Sequence, residues 1–358
     1  MKVLVTGGAG FIGSRVVAHL LDHGAAVRVL DSLDPGVHAD TPALDPRAEL
    51  VVGDVADPAV AAEAVDGVDA VSHQAAKVGL GVDFGDVGAY VAANDLGTAS
   101  LLGALWRRRF TGPLVLASSM VVYGEGRLRC PRHGVFSPQP RLEADLEAGR
   151  FDPPCPLAGC DLPVEMATVA EDTPTDPRNV YAATKLHQEH LCALWAREAG
   201  AAAVALRYHN VYGPGMPADT PYAGVAAIFR SALAAGRPPQ VFEDGGQMRD
   251  FVHVDDVARA NVLAVTVPGA AGPYNVASGR AHSVLDMAEA LASVLVDRTA
   301  AAPAPIRPTV TGQWRAGDVR HVVASPVRAA EELGFVAAVS FEDGMAELAT
   351  APARPVAG

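Results

Sequence analysis

The chain has 358 residues, half of them apolar, and a formal net charge of −13. That length suits two domains or one large α/β unit with a lobe, and the apolar content excludes a disordered or fibrous protein. The acidic balance argues against an electrostatic nucleic-acid binder, whose footprint would be basic. KVLVT (2–6) ends at glycines and predicts a first strand. SRVVAHLLDHG (14–24) has helical spacing and stops at Gly24. AVRVLD (26–31) and ELVVGD (49–54) predict two more strands. AVAAEAVDG (59–67) predicts a short helix and DAVSHQAA (69–76) a fourth strand. AYVAANDLGTASLLGALWRRR (89–109) predicts one long amphipathic helix, followed by a fifth strand, PLVLASS (113–119). A second long helix, NVYAATKLHQEHLCALWAREAG (179–200), precedes a sixth strand, AAVALRYHN (202–210).

Short apolar strands alternating with helices predict a Rossmann-type, doubly wound parallel α/β sheet over residues 1–210. An insertion at 125–170, rich in Pro, Gly, Arg and Cys, breaks the rhythm. Residues 211–358 predict a smaller C-terminal lobe that holds substrate. Within it, segments 249–265 and 272–278 predict a strand–helix–strand unit that rejoins the main sheet. No stretch has the 18 or so apolar residues of a membrane span, and the chain opens on a strand, not a leader. A cytoplasmic protein without membrane contact is expected.

TGGAGFIG (6–13) follows the first strand and opens the first helix, with Gly7, Gly10 and Gly13 in GxxGxxG spacing. Glycines there allow a tight turn and a backbone bare enough to touch a pyrophosphate, and the helix N-terminus faces the anion. Phe11 and Ile12 belong to the same loop. Asp31, followed by Ser32, ends the second strand. An acid there accepts hydrogen bonds from the adenosine ribose and repels a 2′-phosphate, which favours NAD over NADP. Asp54 and Val55 end the third strand, where the adenine would lie.

Eight motifs in order make the chain resemble the extended short-chain dehydrogenase/reductase superfamily, in its NDP-sugar epimerase/dehydratase branch. They are TGGAGFIG, HQAA (73–76), NDLGT (94–98), SSMVVYG (118–124), YAATK (181–185), LRYHNVYGPG (206–215), RDFVHVDDVA (249–258) and RAGD (315–318). The resemblance implies that Asn94 braces the cofactor side, that Ala75 and Ala76 line the nicotinamide side, and that Tyr208 also touches the cofactor. It further implies a homodimer built on helices 89–109 and 179–199.

Tyr181 and Lys185 lie four apart on a helix and so share a face. A free tyrosine titrates near 10, so as a base near neutrality it needs an adjacent cation. Lysine suits that role: it is compact and can also bond the nicotinamide ribose. Only three lysines occur, Lys2, Lys77 and Lys185, against 25 arginines. In the family pattern the active hydroxyl lies four residues before the Tyr of VYG, which selects Ser119 over Ser118. Sugar 4,6-dehydratases carry Asp–Glu after that hydroxyl, whereas this chain has Met120 and Val121. Neither transfers a proton, so dehydration is disfavoured and Met120 becomes an adaptable wall for the sugar. Lys77 follows HQAA, where the family has a polar residue near the nicotinamide or sugar. Asn210, Arg249 and Arg315 match family positions that bind the nucleotide diphosphate or the sugar.

Three of the four cysteines fall in the insertion. Cys130 and His133 form a C-x2-H pair, and Cys155 and Cys160 a C-x4-C pair; together they predict a structural zinc that holds a flap beside the active site. The resulting expectation is NAD-dependent epimerisation of a nucleotide-diphosphate sugar at C4, through a 4-keto intermediate. The alternatives are a dehydrogenase or reductase of the same substrates, a 4,6-dehydratase-like enzyme, and a non-catalytic dinucleotide-sensing scaffold.

Overall fold

A computed structural model describes residues 1–38, 42, 44–79, 83–217, 224–297, 306–315 and 317–352. Strand β1 (Lys2–Thr6) runs into the glycine turn, and α1 (Phe11–Asp22) begins directly beyond it. β2 (Ala26–Asp31) and β3 (Glu49–Val52) follow. Helix α2 (Pro58–Ala64) starts on Asp57, whose carboxylate accepts the Ala59 N–H at 2.7 Å, with Pro58 placed where no helical N–H is needed. β4 (Ala70–His73) leads to α3 (Val87–Tyr90), which passes through a π-helical stretch, Val91–Leu96, into α4 (Gly97–Arg107). The single helix expected over 89–109 therefore contains a wide turn, and that turn buries Asn94. β5 (Leu114–Ser119) completes this half.

The insertion carries β6 (Arg127–Cys130), β7 (Gly134–Phe136), α5 (Glu143–Glu147) and β8 (Glu165–Ala167). Its strands form an antiparallel sheet in the order β7-β6-β8. α6 (Val180–Ala199) is capped by the Asn179 carboxamide, which accepts the Ala182 N–H at 2.8 Å, and ends on Gly200 at φ 64°. Then come β9 (Ala203–Tyr208), β10 (Asn210–Tyr212), α7 (Val225–Ala234), β11 (Gln240–Val241), β12 (Met248–His253) and α8 (Val254–Thr266). The chain continues through β13 (Gly272–Val276), β14 (Ala281–Ser283), α9 (Val284–Asp297), β15 (Thr309–Val310), β16 (His321–Val322), α10 (Val327–Leu333) and α11 (Phe341–Thr350).

The main sheet has seven parallel strands in the order β13-β9-β5-β4-β1-β2-β3. One face packs on α1, α8 and α10 through Val5, Val17, Leu206, Val257 and Leu333. The other packs on α2, α4 and α6 through Leu4, Ala61, Leu101, Leu116 and Trp195. Helices on both faces make every central strand apolar on both sides, which is why these strands read as continuous hydrophobic runs. A third core, with Phe229, Phe251, Leu291 and Met345, unites α7, α9, α11 and β12 in the C-terminal lobe.

Only part of the 249–278 unit rejoins the main sheet. α8 packs there and β13 pairs with β9. β12 instead pairs with β10, β14 and β16 in a separate small sheet. Its edges are taken by lobe strands, so Arg249 belongs to the lobe. No helix among the described residues is long and apolar enough to cross a membrane.

Candidate active site

Parallel strands place their C-terminal ends on one edge of the sheet, and the order reverses between β1 and β4. Ligands of open α/β sheets bind at that crevice. Gly7 has φ +66°, and a Cβ on it would lie 2.7 Å from the Ala75 nitrogen. A Cβ on Gly13 would lie 2.0 Å from the Gly7 carbonyl oxygen. These two contacts demand glycine. Gly10 is the N-cap of α1 and offers no side-chain acceptor, so no side chain competes for the N–H groups of Phe11, Ile12 and Gly13. Asp31 fastens the loop: its carboxylate accepts the Ala9 N–H at 2.9 Å and the Leu33 N–H at 3.0 Å. Ser32 beside it is exposed, as is Asp54, while Val55 is buried against α2 and α4. A bare-backbone turn, a helix N-terminus without a side-chain cap and an acid at the end of β2 form a donor and acceptor set that fits NAD.

The region after β4 is braced from below. Thr6 Oγ1 accepts the Ala75 N–H at 3.2 Å and bonds His73 Nδ1 at 2.7 Å; His73 Nε2 bonds Thr98 Oγ1 at 3.0 Å. Burial, helped by the nearby Lys185 charge, pushes the His73 pKa down to about 3, so this ring is neutral scaffolding. Asn94 closes on the main chain of Lys77 from both sides. Its Oδ1 accepts the Lys77 N–H at 2.8 Å, and its amide donates to the Lys77 carbonyl at 3.1 Å and to Thr184 Oγ1 at 2.9 Å. The π turn thus links the β4 loop to α6. Ala76 follows Ala75 in the same part-buried loop, next to Lys77. The Lys77 ammonium lies 5.5 Å from the centre of the Tyr90 ring, which is itself 6.2 Å from the Tyr181 ring.

Ser119, Tyr181 and Lys185 come together where β5 meets α6. Ser119 caps the turn after β5 and hydrogen-bonds Tyr181. Lys185, 2% exposed, donates to the Ala117 carbonyl at 2.8 Å, with its Nζ 5.9 Å from the centre of the Tyr181 ring. Desolvation pushes the Tyr181 hydroxyl up to about 12, against the help of Ser119, and pulls the Lys185 ammonium down to about 8. Deprotonating Tyr181 near neutrality therefore asks for about 7 kcal/mol of favourable electrostatics from Lys185 and a bound cationic ring. Ser118 turns away from the cleft, donating to Glu189, which pairs with Arg207 at 2.8 Å. Met120 is half-buried in the turn after Ser119.

Tyr208 is placed differently from the expectation. Its hydroxyl donates to Gln74 Oε1 at 3.1 Å and accepts from Asn261 at 2.7 Å, inside the core. Any contact it makes in the cleft falls to its main chain. Asn210 begins β10, and its buried carboxamide oxygen has no partner among the described residues, an acceptor held ready. Arg249 donates to the carbonyls of Met248 at 2.9 Å, Arg320 at 2.9 Å and Val319 at 2.6 Å. Burial lowers it to about 10, still charged near neutrality. Arg315 stands apart: it is largely exposed, stacks 5.1 Å over Phe242 and pairs with Asp318 at 3.3 Å.

The insertion gathers its ligand set. Cys130 Sγ lies 3.8 Å from Cys160 Sγ and 3.6 Å from His133 Nδ1, which is 3.3 Å from Cys155 Sγ. All four ligand atoms fall within 4.8 Å of one another. Burial opposes the Cys130 thiolate, but the N–H groups of Arg132 and His133 and the neighbouring thiols more than offset it, and its pKa falls. Other residues near the site stand in no motif. His38 is buried beside Asp31 at 3.8 Å, at the cofactor end rather than in the insertion. Glu125, Arg141, Asp152 and Arg320 join the insertion to the lobe and are scattered singly along the chain.

The profile of the NAD dependent epimerase/dehydratase family matches residues 3–143 and 159–277. This chain belongs to that family. The stretch it leaves out, 144–158, falls inside the insertion. A dTDP-L-rhamnose 4-epimerase of Burkholderia thailandensis is 35% identical, covering 98% of this chain and 94% of its own. A dTDP-glucose 4,6-dehydratase of Actinoplanes sp. is 29% identical over 97% of this chain and 96% of its own. The crystal structure of Thermus thermophilus UDP-glucose 4-epimerase in complex with NAD superposes with a TM-score of 0.74 at 30% identity, covering 98% of each chain. The fold expectation and the family resemblance both stand, and members of both the epimerase and dehydratase branches are relatives.

Proposed function

We propose that this family member epimerises a nucleotide-diphosphate sugar at C4 and uses NAD without consuming it. The observation that carries this reading is the Ser119–Tyr181–Lys185 constellation followed by Met120 and Val121. It holds one acid/base group and, in the next two positions, none of the acids that elimination of water requires. Ser119 orients the C4 hydroxyl and Tyr181 takes its proton. NAD, when bound, would supply the acceptor and donor for the C4 hydride. Tyr181 then gives the proton back to O4 after the 4-keto sugar has presented its other face. The balance is neutral: one proton and one hydride leave and both return. Lys185 supplies the positive charge that holds Tyr181 deprotonated, Asn94 fixes the loop of Ala75 and Ala76, and Lys77 adds charge near the Tyr181 side. Asn210 and Arg249 receive sugar and diphosphate oxygens; Arg315, exposed and paired with Asp318, would have to swing to reach them.

The test is a panel of UDP- and dTDP-sugars, with products read by mass spectrometry and NMR. An inverted C4 at unchanged mass is expected. A product lighter by one water, or a net change in NADH, would overturn the reading in favour of dehydration or oxidation.

We infer further that Cys130, His133, Cys155 and Cys160 hold a structural zinc. Zinc–sulfur bonds of about 2.3 Å and zinc–nitrogen bonds of about 2.0 Å set tetrahedral edges of about 3.8 Å between sulfurs and about 3.5 Å between sulfur and nitrogen. The observed separations support that geometry. The hydrophobic cluster around the candidate ligands is the three cysteines themselves with Phe136, Leu162 and Val164, so a metal would sit at its centre. A second copy of this chain is the expected partner across α4 and α6, where Trp106 is 55% and Leu194 48% exposed. A cytoplasmic location is part of the same proposal.

A further inference from the structure

We propose that the insertion sets the enzyme's grip on the nucleotide diphosphate, with Arg141 as a positioning residue for Arg249. The inference rests on the reading of Arg249 as the diphosphate ligand.

Arg249 is held by main-chain carbonyls. Two of the three carbonyls that accept from it belong to Val319 and Arg320. The carbonyls hold the guanidinium without a direct ion pair, with the carboxylates of Asp318, Glu243 and Glu125 near enough to favour its charge, and they hold it only as firmly as their own segment is held. That segment, 318–321, is clamped from its other side by the insertion. Arg141 Nη2 donates to the Asp318 carbonyl at 2.5 Å. Glu125 Oε2 accepts the Arg320 N–H at 3.1 Å. Asp152 accepts from Arg320 Nε at 2.8 Å and from His321 Nε2 at 3.1 Å. A Cβ on Gly126 would lie 2.2 Å from the His321 carbonyl oxygen, so the insertion's first turn rests directly on this strand.

The centre of the clamp is a buried charge triad. Glu243 lies between Arg141 at 2.8 Å and Arg320 at 2.9 Å, and the three side chains are 1–4% exposed. Removing one member of such a network leaves the others buried with unbalanced charge. The segment would then shift, and with it the carbonyls that aim Arg249. Asp318 is also the ion-pair partner of Arg315, so the same clamp holds the end of the RAGD motif. The family profile does not match 144–158, the stretch that carries Asp152.

The experiment compares Arg249→Ala, Arg141→Ala, Arg141→Lys and Asp152→Asn with wild type in the NAD-loaded protein. Calorimetry reads the Kd for UDP and dTDP, and steady-state kinetics read KM and kcat. Arg249→Ala should abolish measurable nucleotide binding. Arg141→Ala should raise Kd and KM about tenfold with kcat within twofold. Arg141→Lys should recover only part of this, because a compact ammonium lacks the spread by which the guanidinium reaches Glu243 and the Asp318 and Phe151 carbonyls at once. Asp152, largely exposed, should give a rise of about threefold and decides the matter if Arg141→Ala does not fold. Unchanged binding in Arg249→Ala, or no nucleotide binding in wild type, overturns the diphosphate reading and the clamp with it. Loss of binding in Arg249→Ala beside wild-type affinity in both Arg141→Ala and Asp152→Asn overturns the clamp alone. A fall in kcat and thermal stability with no selective change in KM does the same, since that is what a merely structural role gives.

Discussion

Lys185 is the most heavily buried cation of the candidate site, and its burial makes a quantitative forecast. In the folded, NAD-free protein its pKa is lowered from 10.5 to about 8, first by desolvation. A lysine with a depressed folded pKa is destabilising when charged. Between the two pKa values the unfolded chain binds more protons than the folded one, so stability rises with pH in that window. Lys185→Met keeps the length of the side chain and removes both the charge and its hydrogen bond to Ala117. The bond is worth about 1 kcal/mol at every pH. The penalty for the buried charge is fully in force at pH 7; its relief, with a folded pKa near 8, amounts to about 2 kcal/mol at pH 9.5. His73, lowered partly by Lys185, is neutral at both pH values, and groups that do not face Lys185 cancel from the difference. The neighbours Tyr181 and Cys192, both raised to about 12 mainly by burial, remain neutral throughout. Urea unfolding of both NAD-free proteins at pH 7 and 9.5 measures this directly. Wild type should gain about 2 kcal/mol on the variant as pH rises. Parallel behaviour at the two pH values would show that Lys185 is not a desolvated cation, and the electrostatic account of Tyr181 would fall with it.

The remaining predictions are simpler. Tyr181→Phe should lower kcat at least a thousandfold with NAD still bound, because only the hydroxyl goes; residual activity near wild type would remove Tyr181 as the base. Gly13→Ala should abolish NAD binding or folding, since its Cβ would meet the Gly7 oxygen at 2.0 Å, and a normal NAD titration would refute the cradle. Protein purified without added metal should carry close to one zinc, and Cys155→Ser should speed proteolysis within 125–170 with the NAD site intact; less than a tenth of an equivalent in active wild type leaves the segment a metal-free loop. Light scattering at micromolar concentration should show a dimer that Trp106→Glu dissociates, and a wild-type monomer would refute the α4–α6 interface.

What the sequence disclosed and what it hid divide along one physical line, that of range. The glycine turn, Asp31 and the Tyr181–Lys185 pair are local devices. Their spacing is dictated by one turn of backbone or one turn of helix, so it survives in a single chain. The zinc ligands are two short pairs whose union needs the chain to close a loop of some twenty residues, and chemistry alone suggested that union. The placement of β12 was misjudged because an apolar run followed by a helix looks the same whichever sheet it joins; its partners β10, β14 and β16 are chosen by the lobe's packing. Tyr208 shows the complementary limit: its motif does not reveal that the hydroxyl is taken by Asn261, fifty-three residues on, which leaves any cofactor contact to its main chain. The Arg141–Glu243–Arg320 triad was least legible of all. Each member is one more charged residue in an arginine-rich chain, without periodicity or neighbouring signal. Yet the triad is where insertion, lobe and the proposed diphosphate ligand are mechanically joined. An enzyme of this kind can therefore keep its chemistry in motifs near strand ends while an inserted segment, far less conspicuous in sequence, braces the arginine proposed to grip the diphosphate.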